Sequence, residues 1–301
     1  MENGIFTPLA WKSDEEISLH KPSLSYIEES FSRLCKNRYA LTAICLLCLL
    51  SLLSILGPFC SPYAYYEIHL TEVNLPPSSK FWFGTDELGR DIFTRLCLGA
   101  RISLFIGVMA AILDLIVGVM MGSIAGILSG KIDELIMRVA DIMHSIPYLL
   151  IVIMLMVIMG SGIYTILLAL TITGWITMAR MVRGQIMQLR ALDFIQAARA
   201  LGASRRRILF KHFIPNAIGP IIATMTLTIP TAIFAEAFLS FLGLGVQAPT
   251  ASLGTMASDG LPAMRYFPWR LFFPAGFIGL TIFCFNLIGD GLRDAFDPRL
   301  R

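Results

Sequence analysis

The chain has 301 residues, of which 56% are hydrophobic and only 15% charged, with a mean hydropathy of +0.71. An ordinary globular chain is roughly 45–50% apolar and about 25% charged, and a soluble fold has too much surface to hide the excess. Composition therefore excludes a pair of soluble domains, disorder and a collagen-like rod, and length excludes a disulfide-built mini-domain. An all-α integral membrane protein is expected. The net charge of +3 is small, so the placement of the 24 Lys+Arg matters more than their sum.

A bilayer is crossed by a helix of roughly 20 apolar residues, with about 17 as a practical minimum. Six stretches are predicted as spans. The first is Ala40–Leu56, closed by Gly57-Pro58; the mostly polar residues 1–39 before it are too many for a signal peptide, so it reads as an uncleaved anchor. Next come Ile102–Leu128, interrupted by Asp114, and Ile146–Met159, whose helix begins near Met137. Gly160-Ser161-Gly162 turns into the fourth, Ile163–Met178. The fifth, Ala217–Leu244, contains Pro220, Pro230 and Glu236, and the sixth is Leu271–Ile288. Helices satisfy their own backbone hydrogen bonds in lipid, so a six-helix bundle is expected.

Orientation follows from the basic residues. Between spans four and five lie Arg180, Arg183, Arg190, Arg199, Arg205, Arg206, Arg207 and Lys211 against the single acid Asp193, which predicts a cytoplasmic loop. Both termini then fall inside, with Arg33, Lys36 and Arg38 at one and Arg293, Arg299 and Arg301 at the other. The outer segments are balanced, Lys80, Arg90 and Arg95 being offset by Asp86, Glu87 and Asp91, or sparse, with Arg265 and Arg270. The aromatic and proline-rich outer segment 58–98 is expected to be ordered against the bundle or the membrane surface, and composition leaves the two open. Leu253 marks the outer side of the last connection.

Catalytic chemistry finds no foothold. His20, His69, His144 and His212 lack metal-ligand spacing, and no Ser sits in a nucleophile elbow. Gly126-Ile127-Leu128-Ser129-Gly130-Lys131 is one residue short of a phosphate loop and has Ile132 where a Ser or Thr holds magnesium, so it reads as a helix end and turn. Cys45 and Cys48 are expected to be buried and inert. Cys60 and Cys97 both fall outside, where a bridge between them stays open.

In the basic loop, Leu189–Leu201 has the periodicity of an amphipathic helix with Ala191, Phe194, Ile195, Ala198 and Leu201 on one face. Gly202 stops it in a left-handed position, and Ser204 caps a following helix whose first turn is Arg205-Arg206-Arg207. Three cations at the positive end of a helix dipole are unfavourable, which calls for lipid phosphates or an acidic partner. Positive-inside signalling with an interfacial helix and a docking surface for another protein are the two readings.

These residues carry a resemblance. Gln196-Ala197-Ala198, then three residues, Gly202, nine residues, and His212-Phe213-Ile214-Pro215 resembles the coupling loop of ABC-importer permeases, with Gln196 for the usual Glu, His212 for Ile and Ile214 for Leu. Phe83-Gly84-Thr85-Asp86-Glu87-Leu88-Gly89-Arg90-Asp91, Glu236 through Gly245, and Asn286 through Asp294 with Asp297-Pro298-Arg299 are similar to blocks of the oligopeptide/dipeptide/nickel permeases, in particular the second, C-type, subunit. The resemblance implies a type I permease bundle over 99–291 with a coupling loop at 180–215 and a cytoplasmic tail at 292–301, after an anchor at 40–57. It implies a bacterial inner-membrane location, both termini cytoplasmic. It implies as partners a homologous permease, two ATP-binding subunits and an extracytoplasmic binding protein, besides membrane lipid. No nucleic acid is implied, and no cofactor belongs to this chain, ATP being bound by the partner subunits. Short peptides are the expected cargo, nickel complexes the alternative, and a proton-coupled secondary transporter the reading from another class. Asp114 and Glu236 are acids inside apolar runs, and such acids face cavities or partners by default. Asp114 either lines the pathway or subunit interface or bonds a neighbouring helix; Glu236, near an outer end, either serves function or snorkels to water.

Overall fold

The computed structural model describes residues 26–247 and 249–296, and among them the backbone is helical apart from connecting segments and an isolated bridge between Thr85 and Asp91. Residues 1–25, which include His20, and the Asp297-Pro298-Arg299 block with Arg301 lie outside the described residues. Helix α1 (Tyr26–Lys36) stops at Asn37, whose side chain accepts from the Tyr39 and Ala40 amides and caps α2 (Arg38–Cys60). α2 runs through Gly57 and Pro58 instead of ending there. Pro58 has no N–H for the Ser54 carbonyl four residues back, and Arg101 Nη2 replaces it, donating to Ser54 O at 3.2 Å and to Ile55 O at 3.1 Å.

α3 (Ile92–Leu128) begins ten residues before the expected Ile102, because Asp91 accepts from the Thr94 amide at 3.0 Å and caps it. Its 37 residues span roughly 55 Å. That exceeds the roughly 30 Å hydrocarbon core, so the helix projects from the bilayer. The third expected span is not one helix. α4 (Lys131–Ser145) and α5 (Tyr148–Met159) meet at an 85° bend. Pro147 supplies the cause, since the residue before a proline is driven out of the helical region, and Ile146 sits at φ −79°, ψ 126°. α6 (Ile163–Arg190) runs twelve residues past the expected Met178.

The helix expected over Leu189–Leu201 is broken at Ala191-Leu192, leaving α7 (Asp193–Ala200) as a separate short element. α8 (Arg205–Ile208) passes through a π-helical turn, Leu209–Phe213, into α9 (Ile214–Phe241). Pro215 cannot donate to the Lys211 carbonyl, and a widened turn just before it accommodates the loss. α10 (Leu253–Gly260) and α11 (Trp269–Ala295) complete the bundle. Among the described residues five helices are long and apolar enough to cross a membrane, or six if α4 and α5 are taken as one span.

Packing assigns the ends. Gly118, Gly122 and Gly126 form a small-residue stripe on α3 against Met178, Ala179, Val182 and Ile186 of α6, where an added Cβ would lie 2.5, 2.4 and 2.8 Å from its nearest neighbour. Small residues at this spacing let membrane helices approach closely. At one end, Gly291 of α11 touches Ala40 and Leu34, and Gly219 of α9 touches Phe296. Ile195, Ile208 and Phe213 pack with Ile186 and Ala217 in one cluster there. Arg33, Lys36, Arg38, Arg190, Arg205, Arg206, Arg207, Lys211 and Arg293 therefore collect at the same end.

The opposite end holds the 61–91 segment and α10. This segment is ordered, as expected. Asp86 is its hub, accepting from Arg90 Nε and from Arg95 Nη1 of α3, both at 2.7 Å. Arg270 of α11 donates to Glu87 at 2.9 Å and to Asn74 at 3.1 Å. Phe83 stacks on Phe273 with centroids 4.0 Å apart. Leu253 is buried in this outer cluster with Leu50, Leu96 and Phe277.

Cys45 and Cys48 depart from expectation. They point out of the bundle, and Cys60 and Cys97 are free thiols, Cys60 exposed and Cys97 buried against Gly57.

Candidate functional site: the basic loop and two interior acids

The loop expected to dock a partner sits between α6 and α9. Asp193 occupies the first turn of α7 and Arg199 the last, each charge complementing the helix dipole. Gly202 follows at φ +81°, with its amide bonded to the Arg199 carbonyl at 2.9 Å, and a Cβ there would meet nothing within 4 Å. The need for glycine is thus conformational. Ser204 Oγ accepts from the Arg207 amide at 3.3 Å, so the expected cap of α8 is present.

The apolar face read from periodicity is only partly buried. Ile195 is fully buried, whereas Leu201 is 89% exposed, Phe210 68% and Phe194 45%. The helix break at Ala191 accompanies the difference: of the five, Ile195 is buried and Ala198 half-buried, and the others stay exposed. Gln196, Ala197 and Gly202 are exposed, Ala198 is half-buried, and Ile214 and Pro215 open α9 across the loop. Gln196 Nε2 donates to the Ala191 carbonyl at 3.2 Å and lines a hollow of about 500 Å³ with Met187, Arg190 and Arg199. Exposed leucine and phenylalanine among arginines make a surface with both apolar and cationic character.

The two interior acids have different surroundings. Glu236 does not snorkel. It is fully buried, accepting from Ser103 Oγ of α3 and Ser240 Oγ of α9, each at 2.7 Å. The serines were not singled out by sequence, since a Ser in an apolar helix carries no signal until its partner is placed. Asp114 is 3% exposed on α3, packed against Gly174 of α6, where a Cβ would lie 2.0 Å from Oδ2. It lines a cavity of about 470 Å³ between α3, α5, α6 and α9.

Near this cavity α4 is tied to α6 by Arg183, whose Nη2 donates to Asp133 Oδ2 at 2.7 Å, and by Arg180, which meets Asp141 at 2.7 Å. Gly126 to Lys131 is a helix end and turn, with Ser129 and Gly130 both at positive φ and Arg190 bonded to Ser129. No group of three or more His, Cys, Asp or Glu suited to a metal occurs among the described residues.

A bundle of long apolar helices with a threonine-lined cleft holding a buried acid and a basic loop at one end has the form of a multi-pass membrane permease. Residues 118–301 match the binding-protein-dependent transport system inner membrane component, and residues 25–77 match the N-terminal TM domain of oligopeptide transport permease C. The chain belongs to the family of binding-protein-dependent transport system inner membrane components. It is 55% identical over 298 residues to the oligopeptide transport system permease protein OppC of Bacillus subtilis (strain 168), covering 99% of this chain and 98% of that protein. It is 54% identical over 291 residues to the dipeptide transport system permease protein DppC of the same organism, covering 96% and 91%. OppC of Escherichia coli (strain K12) is 42% identical over 276 residues, 91% of each chain. Among solved structures, a chain of the MetNI methionine ABC transporter in an inward-facing conformation superposes with a TM-score of 0.57 at 19% identity, over 67% of this chain and 96% of that one. The fold is that of an ABC-importer permease, and the protein is a multi-pass inner-membrane transport component working with ATP-binding and substrate-binding components. The importer reading stands over the proton-coupled alternative.

Proposed function

We propose that this chain is the second of two paired permease subunits of an ATP-driven importer of short peptides, coupled to its ATPases through residues 180–215. The similarity of more than half of all positions to an oligopeptide and a dipeptide permease supports the cargo class. The coupling role rests on the loop itself: Leu201, Phe194 and Phe210 are uncovered among arginines at the end where the other cations gather. A water-facing loop has no reason to expose such residues unless another surface covers them.

In this reading a homologous permease supplies the other half of the pathway, two ATPases bind the ATP that this chain does not, and an extracytoplasmic protein delivers peptide at the face formed by residues 58–98 and α10. The basic end and both termini are cytoplasmic. Gln196, Ala197, Ala198 and Gly202 form the docking surface, and Ile214 and Pro215 pass its motion into α9. Transport follows from alternating access, in which ATP and peptide each favour one state of the bundle over the other. The chain itself catalyses nothing.

The test is reconstitution of the purified permease pair with ATPases and binding protein. Peptide uptake should require all components, and Gly202→Val should assemble normally yet lose substrate-stimulated ATP hydrolysis and uptake. Normal stimulation in that variant would reduce the loop to an interfacial helix.

A further inference from the structure

The cavity beside Asp114 holds polar atoms that the fold itself leaves without partners. Asp114 Oδ1 and the Tyr148 hydroxyl are buried and lack a hydrogen-bond partner. A buried polar atom left in that condition is unfavourable, and a carboxylate at bilayer depth is more so. Helix–helix bonding, the competing explanation for Asp114, is not made at this atom.

The rest of the lining shows what would repay that cost. Thr173 and Thr177 of α6 and Thr228 and Thr231 of α9 face the same cavity. Thr228 Oγ1 donates to the Thr224 carbonyl at 3.0 Å and Thr231 Oγ1 to the Thr228 carbonyl at 2.7 Å. Each of these hydroxyls has committed its only hydrogen to its own helix, so what it offers the cavity is lone pairs. Lys, Arg and His are absent from the lining. The cavity therefore offers acceptors at Asp114, Thr228 and Thr231 beside the free hydroxyl of Tyr148. An ionised Asp114 there is the complement of a group with several N–H donors and a positive charge.

We propose that this cavity is a translocation subsite for the primary ammonium of the cargo, with Asp114 as counter-charge and the threonine hydroxyls as acceptors. The assignment rests on the peptide-importer reading, since the amino terminus is the ammonium that every unblocked peptide carries. An ammonium has three donors, and the lining supplies carboxylate and threonine oxygens able to accept them. On this subunit the cleft has a volume of about 470 Å³, room for the amino-terminal end of a peptide.

Two measurements on the reconstituted four-component transporter test this. In a background with the native cysteines replaced, Thr228→Cys is treated with aminoethyl methanethiosulfonate, a cation, and sulfonatoethyl methanethiosulfonate, an anion. The cation should react faster by about tenfold or more, as in clefts lined by one sign of charge, and Asp114→Asn should remove the preference. Uptake of trialanine, whose only ammonium is its amino terminus, should fall by about tenfold or more in Asp114→Asn, with Asp114→Glu restoring part of it. Equal modification by the two reagents, or wild-type uptake by Asp114→Asn, overturns the subsite while leaving the peptide reading intact. Failure of the wild-type complex to take up peptide overturns the peptide reading and this ligand with it. The labelling comparison needs no Asp114 variant, so poor assembly of Asp114→Asn does not shield the proposal.

Discussion

Gly202 and Gln196 show how much of the coupling loop rests on single backbone and side-chain choices. At φ +81° a β-branched residue is strained by about 1–2 kcal/mol, yet among the described residues no atom beyond its chain neighbours lies within 4 Å of an added Cβ. Backbone strain and collision with a docked partner are therefore separable. Gly202→Asn tolerates the left-handed conformation, so if strain alone matters it should retain most ATPase stimulation while Gly202→Val loses it. Gln196→Glu should also keep stimulation. It gives up one exposed bond to the Ala191 carbonyl, and the new carboxylate gains from Arg190 and Arg199 beside it, a balance within about 0.5 kcal/mol. Glu236 is a different matter, because its bond from Ser103 joins α3 to α9 inside the bundle while Ser240 bonds it from its own helix. Glu236→Ala leaves both hydroxyls unpaired and should destabilise the purified protein by about 1–3 kcal/mol in a denaturation titration. Glu236→Gln, which can still bond a serine, should lose less.

The contact between α3 and α6 depends on the glycine stripe. A Cβ on Gly122 would come within 2.4 Å of the Ala179 carbonyl oxygen, a backbone atom that cannot rotate away. Gly122→Val should cost about 1–3 kcal/mol by overpacking and lower the melting temperature of the detergent-solubilised protein. Gly184 is the control on the facing helix, with nothing within 4 Å of its added Cβ. Gly184→Ala should leave the melt unchanged or raise it slightly, since Ala favours the helix by up to about 1 kcal/mol. The bend between α4 and α5 belongs to this scale too. Periodicity detected helical character on both sides of Ile146-Pro147 but joined them, because an apolar run looks the same whether it continues straight or turns.

For the whole molecule, the gathering of cations at one end and mixed charges at the other predicts opposite exposure of Ser204 and Ser78. Single cysteines there, labelled in intact cells with an impermeant maleimide, should react from outside at residue 78 and not at residue 204. Reaction at both would overturn the topology. Purified without its partners, the chain should neither bind nor hydrolyse ATP, measured by nucleotide binding and phosphate release.

The sequence by itself determined the class. Five of the six spans, the basic end, the ordered outer segment, Gly202 and the Ser204 cap were legible because they depend on composition, charge placement and local backbone preference, which a linear chain displays. Tertiary structure alone decided what depends on residues far apart. Glu236 reads equally as a functional acid and as one snorkelling to water until Ser103, 133 positions away, is brought within 2.7 Å. Asp114 reads equally as a pathway or interface acid and as a helix–helix bond until α5, α6 and α9 place it on a cavity with Oδ1 unpartnered. Cys45 and Cys48 read as core until α2 settles at the edge of the bundle. In a membrane protein, hydrophobicity does not distinguish a residue facing lipid from one facing its neighbours, and only packing tells them apart.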